Sequence, residues 1–160
     1  MKILRPSAVD LMELAANMTA DEQVQFCALH GTEEYDADMA AQSFIAMPGH
    51  KFVLVDDAGT PLAGGGYVEI GPGEWQSWMV GTEAAWRDSP LAITRAVRKV
   101  MRAMFNGGAR RLQTYARTDR EKAHAWYEKG LGMTSEGVRR MHYLDGSDAV
   151  VFSRVARDVL

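Results

Sequence analysis

Short β-rich segments alternate with helical ones along this chain, and their order limits the fold more than any other feature. The N-terminal segment KILRP has strand composition and stops at Pro6, and Ser7 is suited to cap a helix through AVDLMELAANM. A second helical segment, DEQVQFCALHG, begins with two acidic residues and ends at Gly31. The next segment, residues 32–50, has an ambiguous pattern.

Three β-rich runs follow and predict a meander. KFVLVD and PLAGGGYVEI are separated by the turn sequence DAGT, and EWQSWMV follows the turn GPGE. Gly64–Gly66 lie inside a strand pattern and open no helix, which argues against a nucleotide-binding loop. We interpret them as a bulge or a close backbone approach.

The second half begins with the longest predicted helix, Ser89 to Phe105, which has apolar residues at helical spacing. RRLQTYA is a strand, and Thr118 with Glu121 has the pattern of a capping box for a helix that carries Tyr127. VRRMHYL and AVVFSRV predict a final hairpin around DGSD.

The resulting order is β, α, α, three strands, α, β, α and two strands, which excludes a simple sandwich and a helical bundle. With 160 residues, the chain is long enough for one compact core and too short for two ordinary domains. We therefore predict a single domain over residues 1–160, of the α+β class, with a central, mainly antiparallel sheet flanked by helices.

Charge is unevenly distributed. Residues 1–80 carry 3 basic and 12 acidic side chains, whereas residues 81–160 carry 15 and 9, so an anionic partner is expected to bind the second half. The net charge of −3 argues against strong general nucleic-acid binding. One basic cluster is suited to coenzyme A phosphates, nucleic acid or an acidic protein surface, or is simply a solvated face: Arg95, Arg98, Lys99, Arg102, Arg110 and Arg111.

Several classes of protein are not expected. The longest apolar runs fall short of the 18 to 20 or so residues that span a bilayer, and MKILRPSAVD lacks the apolar core of a signal peptide, so we expect a soluble intracellular protein with no membrane partner. The single cysteine, Cys27, has no partner for an intrachain disulfide, and the four histidines have no zinc-site spacing. We expect no metal site.

Two motifs carry a family resemblance. ILRPSAVDLMEL near the start and AHAWYEKGLGM near the end, in this element order, resemble the GCN5-related N-acetyltransferase (GNAT) superfamily. Trp126 and Tyr127 take its aromatic positions. The resemblance implies that acetyl-CoA lies between splayed fourth and fifth strands, with its pyrophosphate at the start of the next helix, and that Tyr127 protonates the departing thiolate.

The phosphate-binding loop departs from the family pattern. In GTEAAWRDSPLAITRAV, Asp88 and Pro90 stand at the two glycine positions. A carboxylate repels a pyrophosphate, and a proline lacks an N–H donor. Arg87 is the residue that offers partial compensation as a phosphate ligand. For Tyr127, the structural alternative is a ring that packs on the fifth strand beside Ala123 and Leu131.

A narrower resemblance covers WMVGTEAAWRDSPLAITRAVRKVMRAMF and MHYLDGSDAVVFSRV, which are similar to acetyltransferase-like internal virion proteins of short-tailed phages. It implies a phage protein present in the host cytoplasm during assembly and then in the virion. Its partners would be virion or assembly proteins of the same phage. This is our leading prediction: a degenerate acetyltransferase fold used for protein contacts, with no cofactor and no efficient catalysis.

The alternative is an active, cytoplasmic N-acetyltransferase that moves acetyl from acetyl-CoA to a small-molecule amine. Tyr127 would then be the acid and Glu74 the base, with Glu69 and His142 as other candidate bases. The residues that would hold the cofactor are Met79, Val80, Arg87, Ser89 and Leu91. A third possibility is a module that binds coenzyme A without turnover. Strand alternation places Trp75 and Trp78 on opposite faces, one of them available as an anchor for a partner.

Overall fold

A computed structural model describes residues 1–158. Its helices and strands follow the predicted order, with additional helices at residues 37–46 and 83–88. They are β1 (Lys2–Leu4), α1 (Ala8–Asn17), α2 (Ala20–His30), α3 (Ala37–Ala46), β2 (His50–Val55), β3 (Pro61–Gly71), β4 (Glu74–Gly81), α4 (Glu83–Asp88), α5 (Pro90–Asn106), β5 (Arg111–Arg117), α6 (Glu121–Ala125), a π-helical turn (Trp126–Gly130), β6 (Thr134–Arg139), β7 (Ala149–Val155) and a final 3-10 turn (Ala156–Asp158).

The strands form one sheet in the order β1-β2-β3-β4-β5-β7-β6. All neighbouring strands are antiparallel except β4 and β5. These two pair only over Glu74–Gln76 and Arg111–Gln113, and they part beyond that point. The predicted α+β class and mainly antiparallel sheet are confirmed, and the parting of β4 and β5 is the opening in the sheet on which the candidate site depends.

Helices cover both faces of the sheet. Strand β2 shows the division, because Phe52 and Leu54 join the core beneath α5, whereas Val53 and Val55 join the core beneath α1 and α3. On α5, Ile93, Val97 and Met101 are buried at intervals of four residues, which explains its amphipathic pattern. The sheet therefore separates two cores.

Of the two helix caps predicted from local sequence, one is found in the structure and one is not. Ser7 caps α1 as predicted, in a reciprocal capping box with Asp10. The capping box predicted at Thr118 and Glu121 is wrong, because α6 begins at Glu121 with Arg120 as its N-cap. Thr118 instead donates its backbone N–H to Asp148 in the loop before β7, so a contact with a distant loop displaces the local cap.

Two other segments differ from prediction, and the ambiguous segment is helical in its later part, as its pattern allowed. The ambiguous segment contains α3, which Asp36 caps through the N–H groups of Asp38 and Met39. The loop before α5 contains α4. The final hairpin begins earlier than VRRMHYL, because residues 141–144 dock on α2: Tyr143 is buried, and Leu144 donates its N–H to Ala28. Tyr143 therefore packs against a helix, and this segment does not pair as a strand.

The glycine triplet is a place of close approach. A Cβ on Gly64 would lie 2.6 Å from Leu14 Cδ1, and one on Gly65 would lie 2.4 Å from the carbonyl oxygen of Trp78. The register irregularities on β3 lie on either side of the triplet, between Pro61 and Ala63 and between Glu69 and Gly71, so the bulge interpretation of the triplet is wrong. Glycine is required here because neighbouring chain segments leave no room for a side chain.

Candidate functional site

The candidate site is built at the fork, the point where β4 and β5 part at Ser77 and Thr114. Two side-chain hydrogen bonds replace the backbone ladder there. Ser77 Oγ donates to the carbonyl oxygen of Gln113 at 3.1 Å, and Thr114 Oγ1 donates to the carbonyl oxygen of Ser77 at 3.2 Å. A hydroxyl side chain from each strand therefore bridges β4 and β5 at the fork.

Tyr127 reaches the fork from the π-helical turn. Its ring lies 5.2 Å from that of Phe152 on β7, centroid to centroid, and the side chain is buried with Ala123 and Leu131 in the core beneath α5. Burial raises the pKa of the Tyr127 hydroxyl, and the positive charge of Arg120 and a hydrogen bond with Thr114 oppose that rise. The ring is buried in the same core as Ala123 and Leu131, but its aromatic contact is with β7, and its hydroxyl group reaches Thr114 of β5 at the fork.

The π-helical turn sets the position of this ring. Leu131 donates its N–H to the carbonyl oxygen of Trp126, five residues earlier, at 2.9 Å. Such a widened turn adds one residue to the helix and is frequent at functional sites. It lets the chain bury Tyr127 while Trp126 faces α4 and α5.

Glu22 is a residue of the site that the sequence analysis missed. Its carboxylate accepts the N–H of Gly81 at 3.0 Å, on the last residue of β4. Burial raises its pKa to about 7, against the opposing effects of the Gly81 hydrogen bond and the Arg120 charge. The signal in the sequence was the capping box of Thr19 with Glu22, which marks the start of α2 but does not reveal the contact with β4.

A cavity of about 520 Å³ opens on the α2 and α3 side of the fork. We call it the aromatic cavity because its walls include Phe26, Phe44, Trp78, Tyr115 and Tyr143. Glu22, Gln113, Arg120, Tyr127, Arg139 and His142 provide its polar groups. It is large enough for an organic group or a side chain, with a few convergent polar atoms, as binding pockets usually are.

Tyr115 organises the rim of the aromatic cavity. Its hydroxyl oxygen accepts hydrogen bonds from Gln113 Nε2 at 3.1 Å and from an Arg139 guanidinium nitrogen at 3.2 Å. The His142 ring stacks on the Tyr115 ring at 4.4 Å. Burial and the nearby Arg139 charge lower the pKa of His142, which favours the neutral imidazole.

The three candidate bases are separated in space. Glu74 begins β4 on the paired side of the fork, in register with Arg111. Glu69 accepts the N–H of Gly73 at 3.2 Å and so stabilises the turn between β3 and β4. His142 alone of the three lines the aromatic cavity.

Of the predicted cofactor residues, Met79 and Val80 lie on β4, and the others lie on α4, on α5 and at the junction between them. Met79 lines the space at the fork, and Val80 is buried towards the aromatic cavity; both pair with β3 through Gly65 and Gly64. The strand alternation of Trp75 and Trp78 is confirmed, because Trp75 packs beneath α5 and Trp78 stacks on Phe44 at 5.1 Å.

The segment expected to bind pyrophosphate has other contacts. Arg87 donates two hydrogen bonds to Asp88, at 2.8 and 2.9 Å, and both side chains are exposed. Ser89 joins α4 to α5 and donates its N–H to the carbonyl oxygen of Ala85, while the Leu91 side chain is exposed. The charge of Arg87 is therefore neutralised by Asp88. The Ser89 N–H, which a pyrophosphate would need as a donor, is already bonded within α4.

Two tryptophan side chains lie on the α5 side of the fork, where the family resemblance places the arm of acetyl-CoA. Trp86 of α4 meets Trp126 edge to face at 5.1 Å, and Trp126 Nε1 donates to Thr94 Oγ1 on α5 at 2.9 Å. The enclosed space beside Met79 and Tyr127 is about 20 Å³, room for about one water molecule.

Other ligand classes find little support. Within residues 1–158, none of the helices combines the length and apolar character needed to cross a bilayer. Over the same range, His, Cys, Asp and Glu side chains form no group of three or more suited to a metal ion.

Comparison with known proteins agrees with this geometry. A family model described as the acetyltransferase (GNAT) family matches residues 15–133, whereas no curated protein matches the sequence. Among solved structures, a GNAT-family acetyltransferase from Bacillus anthracis is similar at 12% identity, with a TM-score of 0.75 over 97% of this chain and 94% of that one.

Two further structures have the same fold. A phosphinothricin acetyltransferase from Sinorhizobium meliloti, solved in complex with AcCoA, is 14% identical, with a TM-score of 0.71 over 96% of this chain and 87% of that one. A mutant spermidine N-acetyltransferase from Vibrio cholerae is 14% identical, with a TM-score of 0.71 over 100% of this chain and 98% of that one. Since the family model also covers most of its length, the chain belongs to the acetyltransferase (GNAT) family.

Proposed function

We propose that this protein uses the acetyltransferase fold for contacts with other proteins and does not transfer acetyl groups efficiently. The observation that carries the proposal is the contact between Trp86 and Trp126, secured by the hydrogen bond from Trp126 to Thr94. It joins α4 and α5 to the π-helical turn, and Trp126 borders the small space beside Tyr127 that a thioester arm would need to enter.

The electrostatics of the same region support the proposal. A phosphate group binds a helix N-terminus through free N–H groups and the partial positive charge there. At the start of α5, Pro90 has no N–H and the Asp88 carboxylate is nearby in sequence. Arg87, the cation that would attract a phosphate, is already paired with Asp88.

The aromatic cavity is the surface that we propose for partner contacts. Aromatic walls and a few polar groups suit an apolar anchor side chain on a protein segment. Leu29 and Ile70 are about half exposed and line the same cavity, so the apolar surface continues to its opening. The resemblance to internal virion proteins points to a virion or assembly protein of the same phage as the partner, met first in the host cytoplasm and then in the particle.

Acetyl transfer to an amine is the second candidate, and one observation favours it. Tyr127 borders both the space at the fork and the aromatic cavity, so a proton donor lies where an acetyl donor and an acceptor would meet in the family arrangement. It requires that Trp86 and Trp126 separate when the cofactor binds.

Calorimetric titration of the full chain with acetyl-CoA, up to millimolar ligand, tests the proposal. We expect no saturable binding. Binding tighter than about 100 μM, which corresponds to about 5 to 6 kcal/mol, would overturn it. Tyr127→Phe would then separate the remaining alternatives: a loss of turnover identifies the enzyme, whereas unchanged cofactor binding without turnover in either protein identifies a coenzyme A-binding module.

A further inference from the structure

We propose that a second pocket, remote from the fork, binds a phosphate monoester. It lies between the C-terminal half of α5, the residues that follow the π-helical turn, and β7. We call it the arginine pocket because Arg98, Arg102 and Arg154 line it, together with Met101, Phe105 and Gly132. This inference does not depend on the proposed function.

The arginine pocket concentrates positive charge in a defined space. Three guanidinium groups border a volume of about 260 Å³. Its other walls are the apolar side chains of Met101 and Phe105 and the backbone at Gly132, so among residues 1–158 no carboxylate lines it. Unneutralised like charges repel one another, and a bound anion would relieve that repulsion.

Two of the arginines have structural contacts that fix their position. Arg98 Nε donates to the carbonyl oxygen of Gly130 at 2.6 Å, and an Arg154 terminal nitrogen donates to the carbonyl oxygen of Leu131 at 2.9 Å. These carbonyl groups end the π-helical turn, where cations are favourable. The contacts hold both guanidinium groups beside the pocket at little further cost in side-chain entropy.

These contacts leave donors unused. Arg154 Nε is buried and, within residues 1–158, has no hydrogen-bond partner. Arg102 makes neither a side-chain hydrogen bond nor an ion pair to any residue in the same range, although it borders the pocket. The exposed guanidinium group of Arg102 is the donor that an oxyanion in the pocket would use.

The chemistry and size of the pocket point to a phosphate monoester. Guanidinium groups match the oxygens of phosphate in paired hydrogen bonds. Met101 and Phe105 give the pocket an apolar wall, which suits a small aryl or alkyl group attached to the phosphate. A carboxylate would use fewer of the available donors.

The arginine pocket is separate from the start of α5, where the family resemblance placed a pyrophosphate. Arg102 follows Pro90 along the helix by about 18 Å, at roughly 1.5 Å per residue. It lies towards the C-terminal end of α5, beside Arg154 near the end of β7. The two locations cannot share one phosphate group.

Titration of the full chain with phenyl phosphate at constant ionic strength tests the inference. We expect saturable binding that is weakened about tenfold or more by Arg102→Ala, since a charge-assisted hydrogen bond is lost. Arg95→Ala is the matched control, because Arg95 is an exposed arginine on the same helix outside the pocket. Inorganic phosphate should bind more weakly than phenyl phosphate because it leaves the apolar wall uncovered.

The outcomes are separable. Arg102 is exposed, so Arg102→Ala should retain the wild-type melting temperature, and Arg102→Glu should abolish binding by reversing the charge. Absence of saturable phenyl phosphate binding to the wild type would overturn the inference. So would equal losses in Arg102→Ala and Arg95→Ala, because these would indicate attraction by net charge alone.

Discussion

Trp86 and Trp126 meet edge to face, with ring centroids 5.1 Å apart and planes at 79°, and join the helices on either side of the fork. Trp86 belongs to the short helix α4, and Trp126 opens the π-helical turn that carries Tyr127. One contact therefore links α4 to the turn that carries a buried tyrosine. Edge-to-face geometry is favourable for aromatic pairs beyond their burial.

The hydrogen bond from Trp126 to Thr94 should contribute measurably to stability. We expect Thr94→Val to lower the free energy of unfolding by about 1 kcal/mol, because it leaves the indole N–H without an acceptor. Trp126→Phe removes the donor, so a double-mutant cycle with Thr94→Val should give a coupling of about 1 kcal/mol in urea unfolding. Strictly additive effects would show that the bond adds nothing.

Glu22 should make stability depend on pH. Its pKa is raised to about 7 from 4.5, so the folded state retains the proton to higher pH than the unfolded chain does. The contribution of the protonated Glu22 carboxyl group to the free energy of unfolding is fully present below about pH 4.5 and is lost as pH rises through about 7. Glu22→Gln keeps an acceptor for Gly81 without a titrating group, and its stability relative to wild type should therefore increase between about pH 5 and pH 8.

Unfolding curves of both proteins across that range provide the measurement for Glu22. Comparing the two cancels the contribution of His142, whose lowered pKa acts in the opposite direction over part of the same range. A constant stability difference between wild type and Glu22→Gln would contradict the raised pKa.

Gly65 should not tolerate a side chain. The Cβ of Gly65→Ala would lie 2.4 Å from the carbonyl oxygen of Trp78, and relief requires β3 and β4 to move apart. We expect a loss of about 3 kcal/mol in the free energy of unfolding. Gly71→Ala is the control on the same strand, because its nearest contact would be 3.5 Å away, and thermal unfolding of the two variants should differ clearly. Similar melting temperatures would argue against the close approach.

Arg111 and Glu136 connect β5 to β6 across β7. Arg111 donates to Glu136 through two nitrogens, one of them at 2.8 Å, and Ser153 Oγ donates to the same carboxylate at 2.6 Å. These bonds lower the pKa of Glu136 to about 2, so the stabilisation is present above about pH 4.5 and is lost as pH falls through about 2.

The effect of Glu136→Gln should be modest because the carboxylate side chain is 39% exposed. We expect a loss of about 1 kcal/mol in the free energy of unfolding at neutral pH, decreasing with added salt and with acid. Chemical unfolding at two salt concentrations measures it, and a loss that persists unchanged at high salt would indicate a packing defect instead of an ion pair.

Local patterns predicted most of the elements. The spacing of Ile93, Val97 and Met101 marks the buried face of α5, and Ser7 with Asp10 marks the start of α1. Predictions from local sequence were wrong where a contact with a distant residue replaced the expected local hydrogen bond. Thr118 is an example, because its N–H donates to the carbonyl oxygen of Asp148. The strand predicted around Tyr143 was also wrong, because Tyr143 packs on α2 and its segment does not extend the last hairpin.

By itself, the sequence determined the α+β class, the order of the elements and the departure of Asp88 and Pro90 from the glycine pattern, because periodicity, turns and residue identity are local properties. Only the tertiary structure decided that Glu22 meets Gly81, that Trp86 meets Trp126, and that Arg154 joins the arginines of α5. These residues are far apart in the chain. Their meeting depends on strand order and on the parting of β4 and β5, which no single segment encodes.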